Sequence, residues 1–236
     1  MKGVEILFFD DYYLMLVVPA LIISLIFQLK VSSTFSRYSK VGNEKQLTGA
    51  VVAELLLRKN GIYDVRIEQV SGKMTDHYDP GHRVMRLSES VYGSATVAAV
   101  GVAAHEAGHA VQHADAYWPL GIRSTLVPLA NVGSAAGPYM AMFGLMLSFD
   151  LLFNLGILLF AIAVLFYLIT LPVEFNASAR ALTMLSDEQI LSEEELAGSK
   201  QVLQAAGMTY VASALVAVAN LARFILLSRG RRRNGK

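Results

Sequence analysis

Cysteine is missing altogether from this chain of 236 residues. That single absence excludes disulfide frameworks, thiolate zinc sites, cysteine nucleophiles and iron–sulfur clusters. Any bound metal must therefore be held by His, Asp or Glu. Charge is also scarce: charged residues make up 17% of the chain, against about 25% in an ordinary soluble domain. The charge is balanced as well, with 20 Lys and Arg against 19 Asp and Glu and a net charge of +1. No broad cationic field exists to attract nucleic acid, so no nucleic-acid partner is expected. The 54% hydrophobic share excludes a disordered chain and argues against a freely soluble globule. At ~150 residues per domain, the length allows one domain with appendages.

Long uncharged runs place part of the chain in a lipid bilayer. Tyr12 to Leu29, YYLMLVVPALIISLIFQL, carries no charge and approaches the ~20 apolar residues that cross a membrane as a helix. Asp10 and Asp11 precede it and QLKVSS follows, which does not fit a cleaved signal peptide, so it reads as a retained anchor. Leu126 to Phe149 and Leu151 to Leu171 form two further runs separated by a turn around Ser148 and Asp150, and read as a hairpin of two spans. The first holds Pro128, Gly133, Gly137 and Pro138, so a kinked or broken helix is expected there. A fourth run, Met208 to Leu227, contains Asn220 and Arg223, and its composition leaves open whether it spans or lies at the interface. Lys30, Arg37, Lys40 and Arg123 put the stretch after the first run in the cytoplasm, while the tail RGRRRNGK claims the cytoplasm too. Four full crossings cannot satisfy both.

Between Val31 and Arg123 the pattern turns polar and periodic. Ser39 to Asn60 includes AVVAELLLRKN, an amphipathic helix that Lys59, Asn60 and Gly61 close. DVRIEQV, Asp64 to Val70, alternates as a half-buried strand and turns at Ser71-Gly72. TDHYDPGHR reads as a turn, and Arg83 to Ser88 as a second strand, one that could offer an open edge to an extended substrate. From Ser94 onward, SATVAAVGVAA leads into a buried helix running through Gln112 or beyond.

That helix carries His105-Glu106-Ala107-Gly108-His109, the HExxH pattern. Four residues at ~100° each bring both imidazoles to one face, one turn apart, with Glu106 beside them. This suits Zn²⁺ held by two His, with a glutamate as general base. Two His and a Glu on an apolar helix are also costly to bury without a shared purpose. A catalytic zinc takes three protein ligands and leaves a fourth position to water. His113 continues the series but sits about 12 Å along the axis from His105, too far to share an ion with it. Glu174 is the better third ligand: Pro172 can open a new helix there, and a carboxylate where a span emerges is expensive unless paired or metal-bound. The hairpin returns the chain to the side that holds His105 and His109. His77, Tyr92 and Arg180 are each chemically able to stabilise an oxyanion, and the sequence does not choose among them. His77, Asp79 and His82 read as a polar turn in preference to a second metal site.

At these residues the chain resembles the YugP-type membrane zinc metallopeptidases, a gluzincin-like family. The resemblance rests on FSRYSKV, LTGAVVAELLLRKNGIYDVRIEQVSG, TDHYDP, RLSESVYG, GVAAHEAGHAVQH, LVPLAN and LPVEFNASARAL, and covers nearly the whole chain. It implies that His105, His109 and Glu174 bind one zinc per chain and that Glu106 is the catalytic base. Gluzincins often place Asp four residues after the ligand Glu to orient a ligating His; here that position is Ser178, so another group is expected to do so. The expected fold is mainly α, a multi-pass membrane protein with a zincin-like α+β domain whose small sheet packs on the HExxH helix. Its expected parts are an anchor at 1–30, a metalloprotease core at 31–123, a transmembrane hairpin at 124–171, a helical segment with the third ligand at 172–207, and a hydrophobic helix with a basic tail at 208–236. The expected function is zinc-dependent hydrolysis of peptide bonds in a peptide or protein substrate, at the cytoplasmic face of the cell membrane. The alternative is a non-catalytic zinc-binding scaffold or holdase. A transporter fits poorly, because only Arg223 lies inside an apolar run. The acidic SDEQILSEEELAGSK reads as a solvated, capped helix and lacks the rhythm of a calcium loop.

Overall fold

The computed structural model describes residues 10–234, so the first nine residues of the expected anchor segment and the last two of the basic tail lie outside the described residues. The described chain is mainly helical, with one small mixed sheet. In chain order it runs through a π-helical turn (Tyr13–Val17), α1 (Val18–Tyr38), α2 (Gly49–Lys59), β1 (Arg66–Val70), β2 (His77–Asp79) and β3 (Val84–Ser88). There follow α3 (Glu89–Tyr92), α4 (Val97–Ala114), α5 (Trp118–Met146), α6 (Asp150–Asp187) and α7 (Glu193–Asn234). It divides into two compact units. One takes in the described residues through Phe27, Ile122–Leu171 and the chain from Thr209 on; the other takes in Gln28–Gly121 and Pro172–Met208.

The second unit is built on local signals that are legible in its sequence. Thr48 caps α2 by accepting from the N–H of Val51, and Asn60 with Gly61 at φ +71° ends it. Thr96 caps α4 in the same way through the N–H of Ala99. Ser192 and Glu195 form a reciprocal capping box at the start of α7. Val52 and Leu56 of α2, Met85 and Leu87 of β3, Val100, Ala103 and Ala107 of α4, and Ala181 and Leu185 of α6 share one buried core.

The sheet corrects two expectations. His77–Asp79, read as part of a turn, is a short strand paired antiparallel to β3, and the strand order is β1-β3-β2. β3 therefore lies in the centre, paired in parallel with β1 on its other side, and offers no open edge. Its residues Val84, Met85, Leu87 and Ser88 are buried, as both faces of a central strand can be. The free edges belong to β1 and β2. Three-residue strands carry too little periodicity to show in a sequence.

In the first unit α5 and α6 approach so closely that a Cβ on Gly133 would stand 2.1 Å from the carbonyl oxygen of Leu159, and one on Gly156 would stand 2.4 Å from the N of Ala141. The small residues of these runs are what permit that contact. α5 runs unbroken through Pro128 and Pro138. Three helical stretches among the described residues are long and apolar enough to cross a membrane, namely Tyr13–Tyr38, Asp150–Asp187 and Glu193–Gly230; α5 falls short of that measure. α6 corrects a further expectation, because Pro172 lies inside it and opens no new helix. Buried Val173 and Ala177 just beyond the proline hold the helix on course, and that packing outweighs the backbone hydrogen bond the proline cannot make. Arg223, in the last apolar run, is buried and paired with Asp10 at 2.7 Å, with its guanidinium 5.0 Å from the Tyr13 ring centroid.

Candidate metal centre

α4 and α6 bring the key side chains together within the second unit. A Cβ on Gly108 would lie 2.5 Å from the main-chain oxygen of Ala177, so the glycine of the HEAGH stretch is what lets the two helices pack this closely. Across that contact, Glu174 Oε2 stands 3.2 Å from His105 Nε2 and 3.6 Å from His109 Nε2. Among the described residues these three form one group of metal-ligating side chains with donor atoms within 4.8 Å of one another. Donors ~2.0–2.1 Å from a tetrahedral zinc stand ~3.3–3.4 Å apart, and the two measured separations bracket that value. Two neutral nitrogens and one carboxylate are also a donor set that zinc accepts. The residues present fit the ion.

The outer nitrogens of both imidazoles are held as well. His105 Nδ1 lies 3.1 Å from Ser178 Oγ, so Ser178 does reach His105, and the expectation that another group must replace it is corrected. The close approach at Gly108 is what brings a hydroxyl near enough. His109 Nδ1 lies 3.0 Å from Oε1 of the fully buried Gln112. Gln112 Nε2 donates to the Val173 carbonyl at 2.8 Å and to Asn176 Oδ1 at 2.9 Å. Asn176 Oδ1 also accepts from Arg180 Nε at 2.9 Å, and Arg180 pairs with Asp115. Sequence reasoning missed Gln112 and Asn176. The signal for Gln112 was its place three residues after His109, on the same helix face; nothing local pointed to Asn176.

Glu106 is buried beside the two histidines. Burial pushes its carboxyl up to about 7; His105 opposes this, the carboxylates of Glu174 and Asp76 add to it, and a hydrogen bond from the Tyr78 main-chain N–H opposes it. A carboxyl poised near neutrality can exchange its proton at physiological pH. The strand that supplies this N–H is β2, the segment read as a turn.

The remaining candidates are placed elsewhere. His113 Nδ1 is 2.8 Å from the Tyr78 hydroxyl. His77 contacts the Thr75 carbonyl and Arg86, and Tyr92 packs against the core. Arg180 is engaged by Asn176 and Asp115. His82 Nδ1 is 2.7 Å from Asp79, and the Arg86 guanidinium is 3.4 Å from both Asp79 and His77, a cation standing where a second metal would have to be.

Comparison with known proteins agrees with the chemistry of this group. The chain matches the family described as "Putative neutral zinc metallopeptidase" over residues 13–229. It is 46% identical over 215 residues to the "Putative membrane protease YugP" of Bacillus subtilis (strain 168), covering 91% of this chain and 96% of that protein. No solved structure matches the chain. A family match over that span and a relative of that identity show a shared family, and the chain belongs to the one described as "Putative neutral zinc metallopeptidase".

Proposed function

We propose that this protein is a membrane-embedded, zinc-dependent endopeptidase in which His105, His109 and Glu174 hold one zinc ion and Glu106 is the general base. The observation that carries this reading is the meeting of those three donors at zinc-compatible separations with a buried carboxyl of raised proton affinity beside them. Zinc, when bound, supplies Lewis acidity toward water and the scissile carbonyl. Glu106 takes the proton of the attacking water and returns it to the departing amine. Gln112 and Ser178 hold the two imidazoles in place from behind. An extended peptide finds its docking edge on β2, the open edge of the sheet next to Glu106.

In this reading 31–123 is the protease core, 172–207 supplies the third ligand, and 1–30, 124–171 and 208–236 anchor the enzyme in the membrane. The site works at the cytoplasmic face, the side favoured by Lys30, Arg37, Lys40 and Arg123. Peptide or protein substrates, membrane proteins among them, are the partners. The scaffold alternative has no use for Glu106, since a structural zinc needs no base beside its ligands.

The test is the zinc content of detergent-purified protein after dialysis. Wild type and Glu106→Gln are expected to hold one zinc per chain and Glu174→Ala to lose it, with hydrolysis abolished in Glu106→Gln. A wild type that takes up no zinc when offered it would overturn the reading. Zinc retained by Glu174→Ala would overturn the ligand set.

A further inference from the structure

Gln112 is fully buried, and the atoms around it leave its amide only one orientation. The nitrogen end faces two oxygens, the Val173 carbonyl at 2.8 Å and Asn176 Oδ1 at 2.9 Å. A main-chain carbonyl can only accept. The Asn176 atom must be its oxygen too, because Arg180 Nε, which can only donate, stands 2.9 Å from it. Turning the Gln112 amide over would set its oxygen against two acceptors in a buried place, a cost comparable to losing both bonds. Its Oε1 therefore faces His109, 3.0 Å from Nδ1, and an amide oxygen can only accept. The proton of neutral His109 must then sit on Nδ1, leaving the lone pair on Nε2, the nitrogen that faces Glu174. Ser178 imposes no such choice on His105, since a hydroxyl can donate or accept.

We propose that Gln112 is a positioning residue that locks His109 in the tautomer able to ligate through Nε2, and that the chain Asp115–Arg180–Asn176 fixes the direction of the Gln112 amide. Every partner lies on α4 and α6 or, for Asp115, at the end of α4, so the device joins the helix of the two His to the helix of Glu174. It orders the ligands before an ion arrives. The inference rests on the zinc reading of the site.

The experiment measures zinc affinity of the full-length, detergent-purified protein by competition with a chelator, and the visible absorption of the same protein loaded with Co²⁺. Gln112→Met, which has similar volume and no amide oxygen, is expected to weaken zinc binding about 10- to 100-fold and to shift the cobalt bands. Asn176→Leu leaves Gln112 in place but removes one of the two acceptors that hold its amide, so the amide is held by the Val173 carbonyl alone, and is expected to lose up to about tenfold. If Gln112→Met fails to fold, Gln112→Leu, which also lacks the amide oxygen, decides on the same scale. Wild-type affinity and bands in the folded Gln112→Met or Gln112→Leu variant would overturn the proposal, because a merely structural glutamine would lower only the melting temperature. A wild type that binds neither metal would overturn the zinc reading itself, an outcome distinct from loss of the Gln112 effect alone.

Discussion

Burial decides the chemistry of single residues here, and Glu106 shows it most clearly. Its carboxyl holds a proton up to about 7 in the folded chain, against 4.5 as its ordinary value. Between those values the folded state carries more protons than the unfolded one, so stability falls as pH rises through that window. Metal-stripped protein is therefore expected to melt at a lower temperature at about pH 8 than at about pH 5, with Glu106→Gln flattening that slope. A thermal-shift series across the range checks this, and an unchanged slope in the variant would contradict it. Ser178 and Gln112 act at the same scale through geometry: each stands behind one imidazole, and neither offers charge.

Pairs of elements set how the site is assembled. α4 meets α6 at Gly108, where an added methyl would press on a main-chain oxygen that cannot move without its helix. Gly108→Ala is expected to cost about 1–3 kcal/mol and to weaken zinc binding by about tenfold or more, since the whole Glu174 helix must shift. Gly121→Ala is the control: nothing lies within 4 Å of its added Cβ, so zinc affinity should stay at wild type and stability should not fall. Equal effects at the two positions would remove Gly108 from the argument. The sheet follows the same logic, because β3 became its centre only through pairing on both sides. Cross-strand partners are chosen by residues distant in sequence, so the place of the open edge was not legible in the alternation of any one strand.

For the whole molecule, membrane topology reduces to parity. Residues 28–121 and 172–208 form one compact unit; in the proposed membrane arrangement, which puts that unit on one face, the chain between them crosses the bilayer an even number of times. α6 is long and apolar enough to cross; in the same arrangement α5 is expected to cross with it, although Pro128, Pro138 and its glycines dilute its hydropathy. The natural lack of cysteine makes the test direct. Single cysteines at Ser71 and Glu193 are expected to react with an impermeant thiol reagent from the same side, the cytoplasm, and one at Leu147 from the other. Labelling of all three from one side would show that the hairpin does not cross.

The sequence by itself determined what depends on near neighbours along the chain. The HExxH spacing put His105, Glu106 and His109 in order because a helix repeats every 3.6 residues, and the caps at Thr48 and Thr96 and the stop at Gly61 marked helix ends through short-range hydrogen bonds. The low charge and long apolar runs spoke for a bilayer because transfer into lipid follows composition. Tertiary structure alone decided that α6 passes through Pro172 unbroken, that β2 and not β3 has the open edge, and that Ser178, Gln112 and Asn176 stand around the histidines. Each of these outcomes depends on which helix or strand packs opposite. That choice is made by burial summed over the fold, and no local pattern of residues records it.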